Sequence, residues 1–221
     1  MQAFNALVVE GTSGVGKSTL IDALIRKHTN SVEPRKIRSF LHLAQSHTYG
    51  PLAQGEDAGT LTVAENAAHL ERIVAMLEWL HASVQEHSKP SCFVIVDALH
   101  LTHCVRPGVA TWDAVRTIDQ HLAALGTKLL FLKVSPDTIW SRGIQPSTNE
   151  PFMLEYARKF GRTDQQIHNY FVQEQGLLCE LFSRSVMPKL LLDNDGPVED
   201  VLEKSFQFWM GSPQSACAAS W

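Results

Sequence analysis

The sequence predicts an α/β fold: a doubly wound parallel five-stranded sheet flanked by helices. Three observations predict it. Five short apolar runs punctuate the 221-residue chain, at 6–9, 37–43, 92–97, 128–134 and 189–192. Helical patterns separate them. Three of the runs (Phe93-Val94-Ile95-Val96, Leu129-Leu130-Phe131-Leu132 and Leu190-Leu191-Leu192) are apolar without alternation, as strands covered on both faces are.

The first run leads directly into Gly11-Thr12-Ser13-Gly14-Val15-Gly16-Lys17-Ser18-Thr19. This contains G-x-x-x-x-G-K-S, the pattern of a phosphate-binding loop. Leu20, Leu24 and Ile25 then recur at helical spacing, so strand, loop and helix follow in the order that the pattern requires. The glycines let the backbone curl until several N–H groups converge on phosphate oxygens. A helix starting near Lys17 aims the positive end of its dipole at the same place. Lys17 is placed to reach the β- and γ-phosphates of ATP, and the Ser18 hydroxyl to ligate Mg²⁺. Residues 11–19 therefore read as the nucleotide site, with Lys17 also catalytic.

After the second strand, 44–59 holds Gly50-Pro51, Gly55 and Gly59. That is long for a structureless connection, so it is either functional or partly ordered. Thr62-x-x-Glu65 reads as a capping box opening a helix. Leu70, Ile73, Val74, Leu77, Leu80 and Val84 form its buried stripe, and Ser88-Lys89-Pro90 ends it.

The third strand ends in Asp97. Sheets of this kind bind ligands at the carboxyl ends of their strands. Asp97 is therefore a candidate to hold Mg²⁺, directly or through water, or to accept a proton from an attacking hydroxyl. The bland alternative is an aspartate that caps a turn. A helix at 113–125 stops at Gly126. After the fourth strand, a helix from near Pro136 carries Ile139, Trp140 and Arg142, and a lid at about 143–163 carries Pro146, Pro151, Arg158 and Arg162. Arginines stabilise a transferring phosphoryl group, and a closing lid excludes water. Arg142 and Arg158 are the catalytic candidates, against solvated surface charge. A helix at 164–182 and the fifth strand complete a single domain over 1–210, and the tail 211–221 is expected to fray.

Composition narrows the classes. A net charge of −4 gives no global basic field for a nucleic-acid polymer. The longest apolar runs are too short to span a bilayer. Cys92, Cys104, Cys179 and Cys217 show no C-x-x-C spacing and read as reduced thiols of a cytoplasmic protein. His100, His103 and His121 match no metal-ligand spacing. Asp193-x-x-Gly196 has the form of a GTPase switch, but it follows the last strand and no N-K-x-D run accompanies it.

These residues bring a family into view. The chain resembles the P-loop nucleotide and nucleoside kinases, most closely the thymidylate-kinase-like group, over nearly its whole length. The resemblance implies transfer of the γ-phosphoryl of ATP, with Mg²⁺, to a nucleoside monophosphate or nucleoside. It departs in two places: Ala98 stands where that group carries arginine after the acid, and Ser13 where it carries an acid or arginine. A small-molecule phosphotransferase on the same scaffold, and a catalytically silent nucleotide sensor, are the alternatives. The resemblance places acceptor candidates at Gln45 (a base edge), Tyr49 (stacking) and Arg72 (an acceptor phosphate); His100, which follows Asp97 closely, and Arg162 of the lid are the other two. The expected partner is a small phosphate acceptor, and a homodimer stays open.

Overall fold

The computed structural model describes residues 4–31, 38–86, 91–105, 110–144 and 157–211. Five strands form one parallel sheet: β1 (Phe4–Glu10), β2 (Arg38–Leu43), β3 (Ser91–Asp97), β4 (Lys128–Lys133) and β5 (Lys189–Asp193), in the order β2-β3-β1-β4-β5. The five expected strands are these, with ends shifted by one or two residues; Ile37 lies outside the described residues. β1 is central, with β3 on one side and β4 on the other. Their carboxyl ends open a crevice where the chain leaves β1. The register sets Val9 opposite Asp97, so the acid at the end of β3 stands beside the start of the loop.

Both faces of the sheet are covered. Ala6, Val8, Val94, Val96, Leu129 and Phe131 pack under α4 (Val63–Glu86) and α6 (Trp112–Ala124). Leu7, Val9, Phe93, Ile95, Leu130 and Leu132 pack under α1 (Lys17–Asn30) and α9 (Val198–Met210). α8 (Asp164–Arg184) gives Ile167 and Phe171 to the second cluster and Leu178 and Phe182 to the first. The inner strands β1, β3 and β4 are continuously apolar because neither of their faces meets water, whereas Phe40 on β2 and Leu191 on β5 are exposed at the sheet edges.

The capping box forms at α4: Thr62 N donates to Glu65 Oε2 (2.9 Å) and Glu65 N to Thr62 Oγ1 (3.2 Å). Leu70, Ile73, Val74, Leu77 and Val84 are buried as the stripe requires; the expected stop at 88–90 lies outside the described residues. The stretch 44–59 is ordered rather than a loop, folding into α2 (Gln45–Thr48) and α3 (Gly50–Asp57). Pro51 in the first turn of α3 needs no donor there, so the Gly50-Pro51 pair starts a helix instead of preventing one. Two helices are not among the elements expected from the sequence: α5 (His100–Val105), only six residues, and α9, whose amphipathic pattern and acidic first turn (Glu199, Asp200) were the available signal. The helix expected from Pro136 is α7 (Pro136–Thr138), continued by a π-helical turn over Ile139–Ile144. Most of the expected lid, 145–156, and the tail 212–221 lie outside the described residues. Among the described residues no helix is long and apolar enough to cross a membrane.

Candidate active site

The loop from Gly11 to Gly16 joins β1 to α1. Gly11 has φ 147°, and a Cβ there would lie 2.6 Å from Leu132 O, so the loop can turn against β4 only with glycine. Gly16, at φ 90°, is the N-cap of α1 and offers no capping side chain. The amides of Lys17, Ser18 and Thr19 begin the helix without carbonyl partners in it. They form, with the helix dipole, an anion cradle. Lys17 Nζ donates to Gly11 O (2.7 Å) and Thr12 O (3.1 Å), folded over the carbonyls of its own loop. Ser18 is exposed at the same helix end.

The loop is braced from β5. Asn194 Nδ2 donates to Val15 O (2.7 Å), and Arg142 Nη1 donates in turn to Asn194 O (2.7 Å). Arg142 Nη2 reaches Asp195 O (3.3 Å). Arg142, expected over the transferring phosphoryl, is thus a tie between the π-helical turn and the end of β5. Two backbone carbonyls there claim its guanidinium. Arg158 and Arg162 are exposed on the approach to α8.

Asp97 is 7% exposed, and Thr48 Oγ1 donates to its main-chain carbonyl (3.0 Å). Its Oδ1 has no hydrogen-bond partner. Burial raises its carboxyl above the ordinary range; Lys17 and His42 pull it down and Glu10 pushes it up. The next residue, Ala98, adopts φ 53°, a left-handed conformation that a non-glycine residue enters at a cost. Its N–H continues the ladder to Val9 O (2.9 Å). Chain direction changes sharply there, and Asp97 is left at the crevice.

Two carboxylates were not among the sequence candidates. Glu10, fully buried, closes β1. Its Oε1 accepts from the amides of Leu99 (2.9 Å), Leu101 (3.1 Å) and Thr102 (3.4 Å), and its Oε2 from Thr102 Oγ1 (2.5 Å). It anchors the start of α5. An acid ending an apolar run, directly before Gly11, was the available signal. Glu174 lies on α8, and its Oε2 accepts from Thr12 Oγ1 in the loop. Nothing local in the sequence marks it.

A narrow cleft beside the loop is lined by Gly11, Ser13, Lys17, Gln45, Thr102, Val105, Glu174 and Leu178. Gln45 is therefore brought to the phosphate loop. Tyr49 is not a stacking platform: it is buried, its hydroxyl donates to Glu56, and its ring meets His103 edge-on at 5.0 Å. His100 also leaves the acceptor set. It is fully buried, with Nε2 3.0 Å from Asp119 Oδ1. Burial pushes the Asp119 carboxyl up, but hydrogen bonds from His100, Ser185 and Val186 outweigh it and hold it low. Arg72 lines a separate groove of about 460 Å³ between α3 and α4, with Pro51, Gly55, Glu65 and His69. That groove shares no lining residue with the cleft.

The donors present suit Mg²⁺: an exposed hydroxyl at Ser18 and a carboxylate oxygen at Asp97 that lacks a partner, both hard oxygens.

No family model matches the sequence, and no curated protein does. Solved structures do. The YorR protein of Bacillus subtilis, in complex with phosphorylated GDP, is 12% identical, with a TM-score of 0.51 over 90% of this chain and 92% of that one. A gluconokinase from Sinorhizobium meliloti 1021 is 14% identical, with a TM-score of 0.50 over 95% of this chain and 93% of that one. At these identities the likeness is one of fold. What they share with this chain is the fold, a five-stranded parallel sheet with helices on both faces.

Proposed function

We propose that the chain is an ATP-dependent phosphotransferase that uses Mg²⁺. One observation carries the reading: the anion cradle at the start of α1 and the partnerless Asp97 oxygen stand at the ends of adjacent strands, and the charge of Lys17 acts on the Asp97 carboxyl. The loop amides and Lys17 hold the β- and γ-phosphates and neutralise charge as the γ-phosphoryl moves. Ser18 and Asp97 are the residues that would hold Mg²⁺, which would supply positive charge to offset that of the phosphates. Asp97 otherwise takes the proton of the attacking hydroxyl. The exposed Arg158 and Arg162 belong to a segment suited to cover the site, and Gln45 meets the acceptor. Supporting this, the two similar folds include a gluconokinase and a protein solved with a phosphorylated nucleotide.

The acceptor is a nucleoside monophosphate, a nucleoside or another small alcohol. A non-nucleotide acceptor gains support from Ala98, a buried methyl beside Asp97 where the thymidylate-kinase-like group has arginine.

The test is acceptor-stimulated ADP release with Mg²⁺ and ATP. Lys17→Ala should lower turnover by ~10²-fold or more, as loss of a preorganised charge does. Asp97→Asn should abolish turnover and spare ATP binding if Asp97 is the base, and shift the Mg²⁺ requirement if it holds metal. Unchanged turnover in Lys17→Ala would refute the assignment.

A further inference from the structure

The phosphate loop carries glycines at 11, 14 and 16, all at positive φ (147°, 81° and 90°). Such a stretch has wide backbone freedom, and fixing it as a phosphate arrives costs entropy. Holding the loop in one shape beforehand therefore strengthens binding. Side chains from distant parts of the chain hold it on two sides. Asn194, after β5, donates to Val15 O (2.7 Å). Glu174, on α8, accepts from the Thr12 hydroxyl. Thr12 is 1% exposed and Glu174 7%, so little water competes for that bond.

Glu174 sits in the buried stripe of α8, with Ile167, Phe171, Leu178 and Phe182. An apolar residue suits that stripe, and a carboxylate there is costly unless it is hydrogen-bonded. Its height is set by the next residue. Val134 N, just past β4, donates to Gln175 Oε1 (3.0 Å), and Gln175 Nε2 donates back to Val134 O (2.9 Å). Thr12, in turn, is engaged at both polar ends. Its hydroxyl meets Glu174, while its carbonyl accepts from Lys17 Nζ (3.1 Å), as does that of Gly11 (2.7 Å). Whatever fixes Thr12 also fixes the anchorage of Lys17. The cleft that these residues line has room for about one water (about 10 Å³), so the partner that Glu174 meets is the loop itself.

We propose that Glu174 is a positioning residue of the nucleotide site: through the Thr12 hydroxyl it holds the phosphate loop in its binding shape and Lys17 at the loop carbonyls. The inference rests on the reading of residues 11–19 as the nucleotide site. Glu174 touches no phosphate and acts through Thr12 alone. The role belongs to its oxygen as an acceptor, not to its charge, so an amide oxygen in the same place serves.

The test is calorimetric titration of the full chain with ADP and Mg²⁺, at a temperature where circular dichroism shows every variant folded. Thr12→Val keeps the side-chain shape and removes the hydroxyl; it should weaken ADP about tenfold. Glu174→Leu suits the apolar stripe and removes the acceptor; it should also weaken ADP about tenfold. Glu174→Gln keeps an oxygen for Thr12 and should recover most of the affinity that leucine loses. The double variant Thr12→Val/Glu174→Leu should bind no more weakly than the weaker single variant, because both changes remove one bond. A Glu174 that served only the packing of α8 would leave the loss from Thr12→Val the same in either background, and that additivity overturns the proposal. Wild-type affinity in Thr12→Val, or a Glu174→Gln as weak as Glu174→Leu, overturns it too, and each leaves the nucleotide site standing. A wild type that does not bind ADP removes the phosphotransfer reading and this inference with it.

Discussion

Glu10 allows a stability prediction to be worked bond by bond. Its carboxylate accepts from three amides and one hydroxyl at the start of α5, in full burial. A helix of six residues cannot hold itself together, so this cap fixes it. Glu10→Ala removes every acceptor at once. A buried donor left without a partner costs ~1–3 kcal/mol, and hydrogen bonds to a charged acceptor contribute more than neutral ones. The two shorter amide bonds and the hydroxyl bond dominate, since the third amide lies at 3.4 Å. Water entering the space recovers part of the loss, which leaves a cost of about 4 kcal/mol. Glu10→Gln keeps one oxygen for the amides, loses the charge and presents an NH₂ group to Thr102, costing about 2 kcal/mol. The assay is equilibrium urea unfolding, followed by far-UV circular dichroism and tryptophan fluorescence together. With a slope of about 2 kcal/mol/M, the midpoint should fall by about 2 M for alanine and about 1 M for glutamine. A loss below ~1 kcal/mol in Glu10→Ala, or equal losses in the two variants, would refute the reasoning, because it rests on the count of orphaned donors.

Three further predictions follow from the same geometry. Gly16→Ala forces a side chain into a left-handed conformation and sets its Cβ 2.7 Å from Asn194 Nδ2; it should destabilise the fold by ~1–2 kcal/mol and weaken nucleotide binding in a calorimetric titration, and undiminished binding would contradict the cradle. Ala98→Gly should change stability by less than ~1 kcal/mol because relief of the left-handed backbone offsets the lost methyl, whereas Ala98→Val should cost ~2 kcal/mol or more; the reverse order in urea midpoints would show that the backbone there is unstrained. Lys128 donates from Nζ to the carbonyls of Phe208 (2.8 Å), Trp209 (2.8 Å) and Gly211, closing the end of α9. Burial lowers its ammonium from 10.5 to about 8, so between those values the unfolded chain holds a proton that the folded chain has lost. Its contribution to stability should therefore rise with pH across that window, and Lys128→Met should remove the rise. A wild-type-minus-variant difference that falls with pH would refute this.

The sequence by itself determined the sheet and the phosphate loop. Both are written in local order: Leu129 to Leu132 form an unbroken apolar run because both faces of β4 are covered, and Gly11 to Ser18 lie within one turn of chain. The capping box of α4 and the stop at Gly126 are equally local. Tertiary structure decided what each polar side chain does. Arg142 has the composition of a phosphate-binding arginine, but the end of β5 lies beside it and takes its donors. His100 follows Asp97 in sequence by three residues, yet α5 turns it into the interior, toward Asp119 on α6. Glu10 meets Leu99 across 89 residues of chain, and Thr12 meets Glu174 across 162. The physical reason is the same in each case. Apolar periodicity reports which face of an element is buried, and a loop motif reports its own backbone. The partner of a buried charge is fixed by sheet register and helix packing, which bring together residues that no sequence window contains.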